Sequence, residues 1–249
     1  YSMEGKRMLT GRRPVLEALR AGTNIERIFV QKGSHGEAIT EILSAAQEKA
    51  IPVEYCEKSF FIKNAGRGNH QGVMAVTPPF AYAPFEELLT GRAGEAPFLV
   101  ILDHLQDPHN LGALVRTAYA AGCHGLVIAQ RRAAQMTEAA IRTAAGAAEY
   151  LPIARVVNVA RCIEACKKAG LWIYGADMHG ESLYTAGDYK GPVALVIGSE
   201  GAGLSRIVKE KCDFLVRLPM QGAVASLNAS VAGALLIYEV YRQRAGFNN

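Results

Sequence analysis

Runs of consecutive apolar residues recur along the second half of the chain, each without a charged side chain. They lie at 98–102, 125–128, 171–174 and 193–197. Continuous apolar runs of this length are typical of strands that are buried on both faces of a parallel sheet. Helical patterns alternate with them, at 111–121, 139–148, 159–169 and 229–244, and a shorter strand pattern lies at 214–216. This alternation predicts an α/β fold with a mostly parallel sheet over residues 97–249.

In a sheet of this kind, ligands bind beyond the carboxyl ends of the strands. We therefore expect the chemistry of the protein after Leu102, Tyr174 and Ile197.

The first 78 residues alternate in the same way, with shorter elements. Helical patterns lie at 14–20 and 38–49, and strand patterns lie at 25–30, 52–56 and 73–76. These patterns predict a separate small α/β domain over residues 1–78. Residues 79–96 contain two prolines, two glycines and only a short helical run, so they predict a linker.

The composition is that of an ordinary globular protein, with 50% hydrophobic and 20% charged residues. The net charge of +4 is compatible with a nucleic-acid partner but does not require one. No apolar run is long enough to span a membrane, and the N-terminus lacks the apolar run of a signal peptide. The five cysteines are scattered, so we expect no metal site, no disulfide framework and a cytoplasmic location.

Polar side chains follow the strand pattern at 98–102. The segment 103–112 contains Asn110, which is either an N-cap of the following helix or a functional residue. Arg116 lies six residues further on, among apolar and small residues of the same helix. An arginine in that setting is not readily explained as a solvated surface charge.

A glycine-rich segment follows the strand pattern at 193–197. Gly198, Gly201 and Gly203 predict tight turns and a close approach of the backbone to a ligand, with Glu200 as the functional candidate. The alternative is a simple glycine turn that Ser199 caps. The segment lacks the Lys-Ser/Thr ending of a nucleoside-triphosphate loop, which argues against that class of site.

The third polar cluster runs from Leu218 to Ser230 and leads into the last helix. Ser226 or Asn228 is either the N-cap of that helix or part of a site. Small residues around it, such as Ala229 and Gly233, allow close packing of neighbouring backbones.

Taken together, these three segments resemble those of the SPOUT-class TrmH family of RNA ribose 2′-O-methyltransferases. The resemblance rests on 107–118, 197–204 and 218–230, in this order. Segments 11–19 and 70–73 extend it upstream and resemble the N-terminal RNA-binding domain of the RlmB branch, the 23S ribosomal RNA guanosine-2′-O-methyltransferases. That domain is similar to ribosomal proteins that bind RNA turns.

The resemblance implies a C-terminal trefoil knot, S-adenosylmethionine as cofactor, ribosomal RNA as partner and a homodimer. It implies a catalytic set of Arg116, Asn110, Glu200, Ser226 and Asn228. It also implies that the cofactor contacts Gly198, Leu218, Met220 and Leu227.

In this interpretation residues 1–78 bind the RNA substrate, with a basic face formed by Lys6, Arg7, Arg12, Arg13, Lys63 and Arg67. Two alternatives are open: a tRNA ribose 2′-O-methyltransferase of the same fold, and a non-catalytic RNA-binding assembly factor. A Rossmann oxidoreductase is disfavoured, because no glycine fingerprint follows the first strand of either domain.

Overall fold

The computed structural model of the 249-residue chain describes residues 6–65, 70–221 and 226–246. The chain divides after Ala81 into two compact units. Most of the predicted linker at 79–96 therefore belongs to the second unit. Leu88 is buried in the core of that unit, and the backbone N–H of Ala83 donates to the carbonyl of Ile153 at 2.8 Å.

The first unit is a four-stranded sheet with helices on both faces. Its elements are β1 (Arg7–Thr10), α1 (Arg12–Arg20), β2 (Arg27–Gln31), α2 (Glu37–Glu48), β3 (Val53–Cys56), α3 (Lys58–Ala65) and β4 (Val73–Thr77). The strand order is β1-β4-β2-β3, in which β4 is antiparallel to β1 and β2 while β2 and β3 are parallel. α1 and α2 bury apolar side chains on one face of this sheet, and Phe61 of α3 packs on the other face.

The second unit is a seven-stranded sheet with helices on both faces. Its first elements are α4 (Phe85–Leu88), β5 (Phe98–Asp103), α5 (Pro108–Ala120), β6 (Gly125–Ala129), α6 (Glu138–Thr143), β7 (Ile153–Val156) and α7 (Val159–Lys168). They are followed by β8 (Trp172–Ala176), β9 (Ser182–Leu183), β10 (Val193–Gly198), α8 (Arg206–Lys211), β11 (Phe214–Arg217) and α9 (Ala229–Arg244). Short 3₁₀ turns lie at Ala147–Glu149 and Tyr184–Ala186.

The strand order of the second unit is β7-β6-β5-β10-β8-β11-β9, and its strand pairs within the described residues are all parallel. The α/β fold with a mostly parallel sheet is thus confirmed. β5, β6 and β10 are buried along their whole length, as the uninterrupted apolar runs predict. The trefoil knot stays a prediction, because the chain path that would close it includes residues 222–225, which lie outside the described part.

The carboxyl ends of the central strands meet at one edge of this sheet. β10 lies between β5 and β8, and Gly198 at its end is in register with Asp103 at the end of β5. The segments that follow these strands are therefore brought together. In the described part of the chain, no helix is long and apolar enough to cross a membrane.

The last helix is fixed at the opposite edge of the sheet by Arg244. Its guanidinium donates to four backbone carbonyls: Tyr189 at 3.0 Å, Ala96 at 2.7 Å, Gly191 at 2.7 Å and Pro97 at 3.2 Å. It also lies over the ring of Phe98, 5.3 Å from its centroid. These bonds tie the end of α9 to the segments that lead into β5 and β10.

Replacing Arg244 by methionine should destabilise the second unit, because several partly buried carbonyls lose a charged donor at once. We expect a loss of about 2–4 kcal/mol and a melting temperature lower by about 5–15 °C. Arg206→Met is the matched control, since Arg206 is exposed and, among the described residues, its one ion pair is with Glu210 one helical turn away. Calorimetry of both variants checks this, and equal melting temperatures would show that the Arg244 bonds add no net stability.

Candidate functional site

A cavity of about 300 Å³ opens at the carboxyl ends of β8, β10 and β11. Its walls come from the chain that follows these strands and from the first turns of α9. Four residues predicted to contact a cofactor all line it: Gly198, Leu218, Met220 and Leu227. The volume is at the lower end of the range of small-molecule sites in proteins. The structure thus brings together residues that lie up to 29 positions apart in sequence (227 − 198).

The glycine-rich segment after β10 forms a tight closed turn. The backbone of Ser199 pairs with that of Gly203, with N···O distances of 3.1 Å and 2.9 Å. A Cβ on Gly198 would lie 2.1 Å from the carbonyl carbon of Gly203, so no side chain fits there. Gly201 and Gly203 have φ angles of 78° and 68°, in the left-handed region that favours glycine. The segment therefore exposes mainly backbone groups, and few side-chain atoms, to the cavity.

Glu200 and Asn110 form the contact that joins this segment to α5. The amide nitrogen Nδ2 of Asn110 donates to Oε1 of Glu200 at 2.6 Å, across 90 positions of sequence. Asn110 is only 7% exposed. The alternative that Asn110 caps α5 is wrong, because the cap is Asp107, whose carboxylate accepts from the backbone N–H of His109 at 2.8 Å. The side-chain amide of Asn110 is therefore available to donate a hydrogen bond to Glu200.

Asp103 anchors the far end of the glycine-rich segment, a role that the sequence analysis missed. It is 1% exposed, and its carboxylate accepts from the backbone N–H of Ser205 at 2.7 Å and contacts Nδ1 of His104 at 2.8 Å. An acidic residue that directly continues an apolar strand is the signal that could have identified it.

An ion pair between Asp177 and Lys209 lines another wall of the cavity and was also missed. Burial alone would raise the pKa of Asp177. Hydrogen bonds from the Lys209 ammonium and from the backbone N–H of His179 outweigh burial, and the pKa lies below its usual value. The cavity therefore has a fixed carboxylate and a fixed ammonium on this side.

The two polar residues predicted before α9 have different surroundings. Asn228 is the N-cap of α9, because its side-chain oxygen accepts from the backbone N–H groups of Ser230 at 2.9 Å and Val231 at 3.4 Å. Ser226 is exposed and lines the cavity. Within the described residues, hydrogen bonds do not join either side chain to Glu200. Their roles in a site remain predictions.

Arg116 is exposed on α5 and does not line the cavity. It follows Asn110 by six residues, which corresponds to about 9 Å along the helix axis and about 120° around it. Hydrogen bonds from its guanidinium to Asn110 or Glu200 do not occur in the described structure. A single copy of the chain therefore does not join Arg116 to the Asn110–Glu200 pair.

Two family models match the chain, and together they cover both units. The model described as SpoU rRNA Methylase family matches residues 97–238. The model described as RNA 2′-O ribose methyltransferase substrate binding matches residues 8–83. The boundary between the two matches lies close to the boundary between the two units after Ala81.

Individual proteins resemble the chain over different lengths. A protein of Bacillus subtilis (strain 168), named for the TrmH family of tRNA/rRNA methyltransferases, is 42% identical over 94% of each chain. The structure of an AdoMet-bound rRNA methyltransferase from Sinorhizobium meliloti is 26% identical, with a TM-score of 0.73 over 96% of this chain and 87% of that one. A TrmH/SpoU tRNA modifying enzyme of A. aeolicus is 30% identical, with a TM-score of 0.57 over 66% of this chain and 82% of that one.

Adding a methyl group at Gly198 should destabilise the second unit, because the new Cβ would overlap the backbone of Gly203. For Gly198→Ala we expect a loss of about 1–3 kcal/mol or more. Gly191→Ala is the control before the same strand, where an added Cβ meets nothing within 4 Å and φ is not left-handed. Thermal unfolding of both variants measures the difference. If Gly198→Ala is as stable as Gly191→Ala, the close approach is not a constraint on the fold.

Proposed function

The chain belongs to the SpoU rRNA methylase family, and we propose that it transfers a methyl group from S-adenosylmethionine to the ribose 2′-hydroxyl of a guanosine in large-subunit (23S) ribosomal RNA. The observation that carries this proposal is the position of the Asn110–Glu200 hydrogen bond. It joins the first helix after β5 to the glycine-rich segment that lines the cavity. A polar pair of this kind beside an apolar cavity suits a reaction between a bound cofactor and a second substrate.

The residues around the cavity fit S-adenosylmethionine. The apolar side chains of Leu218 and Leu227 suit an adenine ring, and the absence of a side chain at Gly198 leaves backbone groups for its polar edge. Glu200 and the Asp177–Lys209 pair offer polar contacts to the amino and carboxylate groups of a methionine moiety. When bound, the cofactor supplies an electrophilic methyl group.

The protein has to orient and activate a ribose hydroxyl, which is a poor acid. Asn110 and Glu200 orient the ribose beside the cavity. Arg116 stabilises the negative charge that develops on the 2′-oxygen. It does not act as the base, because a guanidinium keeps its proton under ordinary conditions, and the proton of the 2′-hydroxyl passes to solvent water as the new O–CH₃ bond forms. In this account Ser226 and Asn228 complete the polar surroundings of the reacting group.

We propose that the protein is a homodimer in which Arg116 of one copy reaches the cavity of the other. α9 has an exposed apolar stripe, formed by Val231 (48%), Leu235 (42%), Tyr238 (47%) and Tyr241 (39%). α9 packs against α5, the helix that carries Arg116. An exposed stripe of this size along one helix is typical of a surface that another protein covers. In the proposed dimer this stripe is buried against the partner, and Arg116 of one subunit acts at the site of the other.

The similarities that include the first unit favour ribosomal RNA over tRNA as the substrate. The similarity to the rRNA methyltransferase of S. meliloti extends over 96% of the chain, whereas that to the tRNA modifying enzyme of A. aeolicus extends over 66%. The match of residues 8–83 to a substrate-binding model supports RNA capture as the role of the first unit. We propose that residues 1–78 form this RNA-binding domain and that residues 97–249 form the catalytic domain. We also propose that the protein is located in the cytoplasm.

Mapping of ribose methylation by mass spectrometry tests the proposed function. Ribosomal RNA and tRNA from cells that lack the protein are compared with those of the parent, and the purified protein is then supplied with S-adenosylmethionine. We expect one guanosine of 23S ribosomal RNA to lose its 2′-O-methyl group and to regain it. A site restored in tRNA would contradict the ribosomal substrate. Unchanged methylation in both RNAs would instead favour a non-catalytic assembly factor.

Arg116→Ala should slow methyl transfer by about 100–1000-fold, because an interaction made in the transition state is lost. Its affinity for the cofactor should be unchanged, since Arg116 acts on the ribose oxygen in this account and does not line the cavity of its own subunit. Arg116→Lys should restore little, because an ammonium lacks the planar fork of donors. Single-turnover kinetics on saturated protein measures the rate, and calorimetry measures cofactor binding. A rate within a few-fold of the parent would show that Arg116 only packs or contacts RNA.

A further inference from the structure

A second cavity, of about 540 Å³, lies in the first unit. It opens where β2 ends, and it is bordered by the first residues of α1 and α3 and by the turn that leads into β4. None of the described residues that line it is acidic. Its lining consists of two cationic side chains, Arg12 and Lys58, together with histidine, glutamine, serine and glycine residues.

The turn before β4 is held in an unfavourable backbone conformation. The backbone N–H of Val73 donates to the carbonyl of His70 at 3.0 Å, and the two central residues, Gln71 and Gly72, have φ angles of 49° and 73°. Positive φ at both central positions is the geometry of a type I′ turn, which is costly for glutamine. A Cβ on Gly72 would lie 2.4 Å from Oγ of Ser34, so the glycine lets the turn approach that side chain.

Hydrogen bonds within the turn determine which groups face the cavity as donors. Nδ1 of His70 accepts from the backbone N–H of Gly72 at 3.0 Å, which leaves the proton of a neutral imidazole on Nε2. The ring is stacked on the buried Phe61, with 5.1 Å between centroids. Oε1 of Gln71 accepts from the backbone N–H of Arg12 at 3.1 Å, so its NH₂ group remains as a donor.

The two cations at the cavity differ in how they are held. The guanidinium of Arg12 donates to the carbonyl of Gln71 at 3.1 Å and to that of His35 at 3.2 Å, which fixes its position. Lys58 is exposed and has no ion pair with a described residue. The neighbouring Glu57 pairs with Lys32 at 2.8 Å and does not line the cavity. As far as the described residues go, no carboxylate therefore neutralises the positive charge at this cavity.

We propose that this cavity binds a phosphodiester group of the substrate RNA, an inference that rests on the proposed function. Lys58 supplies a mobile charge, while Nε2 of His70 and the amide of Gln71 supply donors in fixed positions for phosphate oxygens. In this proposal the turn has an unfavourable backbone conformation at Gln71 because that conformation places the two donors side by side. The contact positions the RNA and does not read its sequence.

The first test is the salt dependence of RNA binding by the full chain. The probes are a labelled transcript of 23S ribosomal RNA and unfractionated tRNA. Losing one phosphate contact should make the slope of log affinity against log salt shallower by about 0.7–0.9. We expect this change for Lys58→Gln, together with weaker binding at low salt. Lys49→Gln is the matched control, since Lys49 is exposed at the end of α2 and does not line the cavity.

A second variant tests the fixed donors. Gln71→Gly removes the amide from a position whose left-handed φ glycine tolerates well, so the fold should be kept. We expect weaker RNA binding than for the parent, with an unchanged melting temperature.

Two results would overturn the proposal. The first is parental binding by both Lys58→Gln and Gln71→Gly, and the second is an equal change of slope for Lys58→Gln and Lys49→Gln. Failure of the proposed function is a different outcome: RNA binding would depend on Lys58, yet ribosomal RNA would gain no methyl group.

Discussion

The second unit depends on one close contact of the backbone with itself, directly after β10. Gly198 ends the strand that lies between β5 and β8, and the backbone of Gly203 returns so close that a Cβ would not fit. This return closes the turn whose backbone lines the cavity. It also aims Glu200 at Asn110 and places Ser205 where Asp103 can accept its N–H. The cavity, the polar pair and the anchor all depend on one position without a side chain.

The amino ends and the carboxyl ends of the strands in the second unit have different functions. At the amino ends of β5 and β10, Arg244 satisfies backbone carbonyls and fixes the last helix, which is a matter of stability. At the carboxyl ends, polar side chains and backbone face a cavity, as expected for a parallel sheet. The first unit has its own polar cavity, and the described residues that line it include two cations and several hydrogen-bond donors but no carboxylate. The chain thus separates a pocket suited to a small cofactor from one suited to an anionic polymer.

The sequence pattern predicts the strands of the second unit well, because continuous apolar runs leave little choice for β5, β6 and β10. It missed β1, α3, β7, β9 and α8. The short strands β1 and β7 gain their structure from pairing with strands that lie far along the chain. The resemblance located the residues of the cavity, but the pairing of Asn110 with Glu200 spans 90 positions and no spacing indicates it. Helical spacing places Arg116 about 120° around α5 from Asn110, but which face of α5 meets the glycine-rich segment depends on the packing of α5 against α6 and α9.

The account predicts where the cofactor binds, and a crystal structure grown with S-adenosylhomocysteine, the demethylated product, tests this most directly. The adenine should lie between the glycine-rich segment 198–203 and the side chains of Leu218 and Leu227. The sulfur should face the side of the cavity where Glu200 meets Asn110. Ligand bound at any other place, or an empty cavity in folded protein at saturating ligand, would contradict the account.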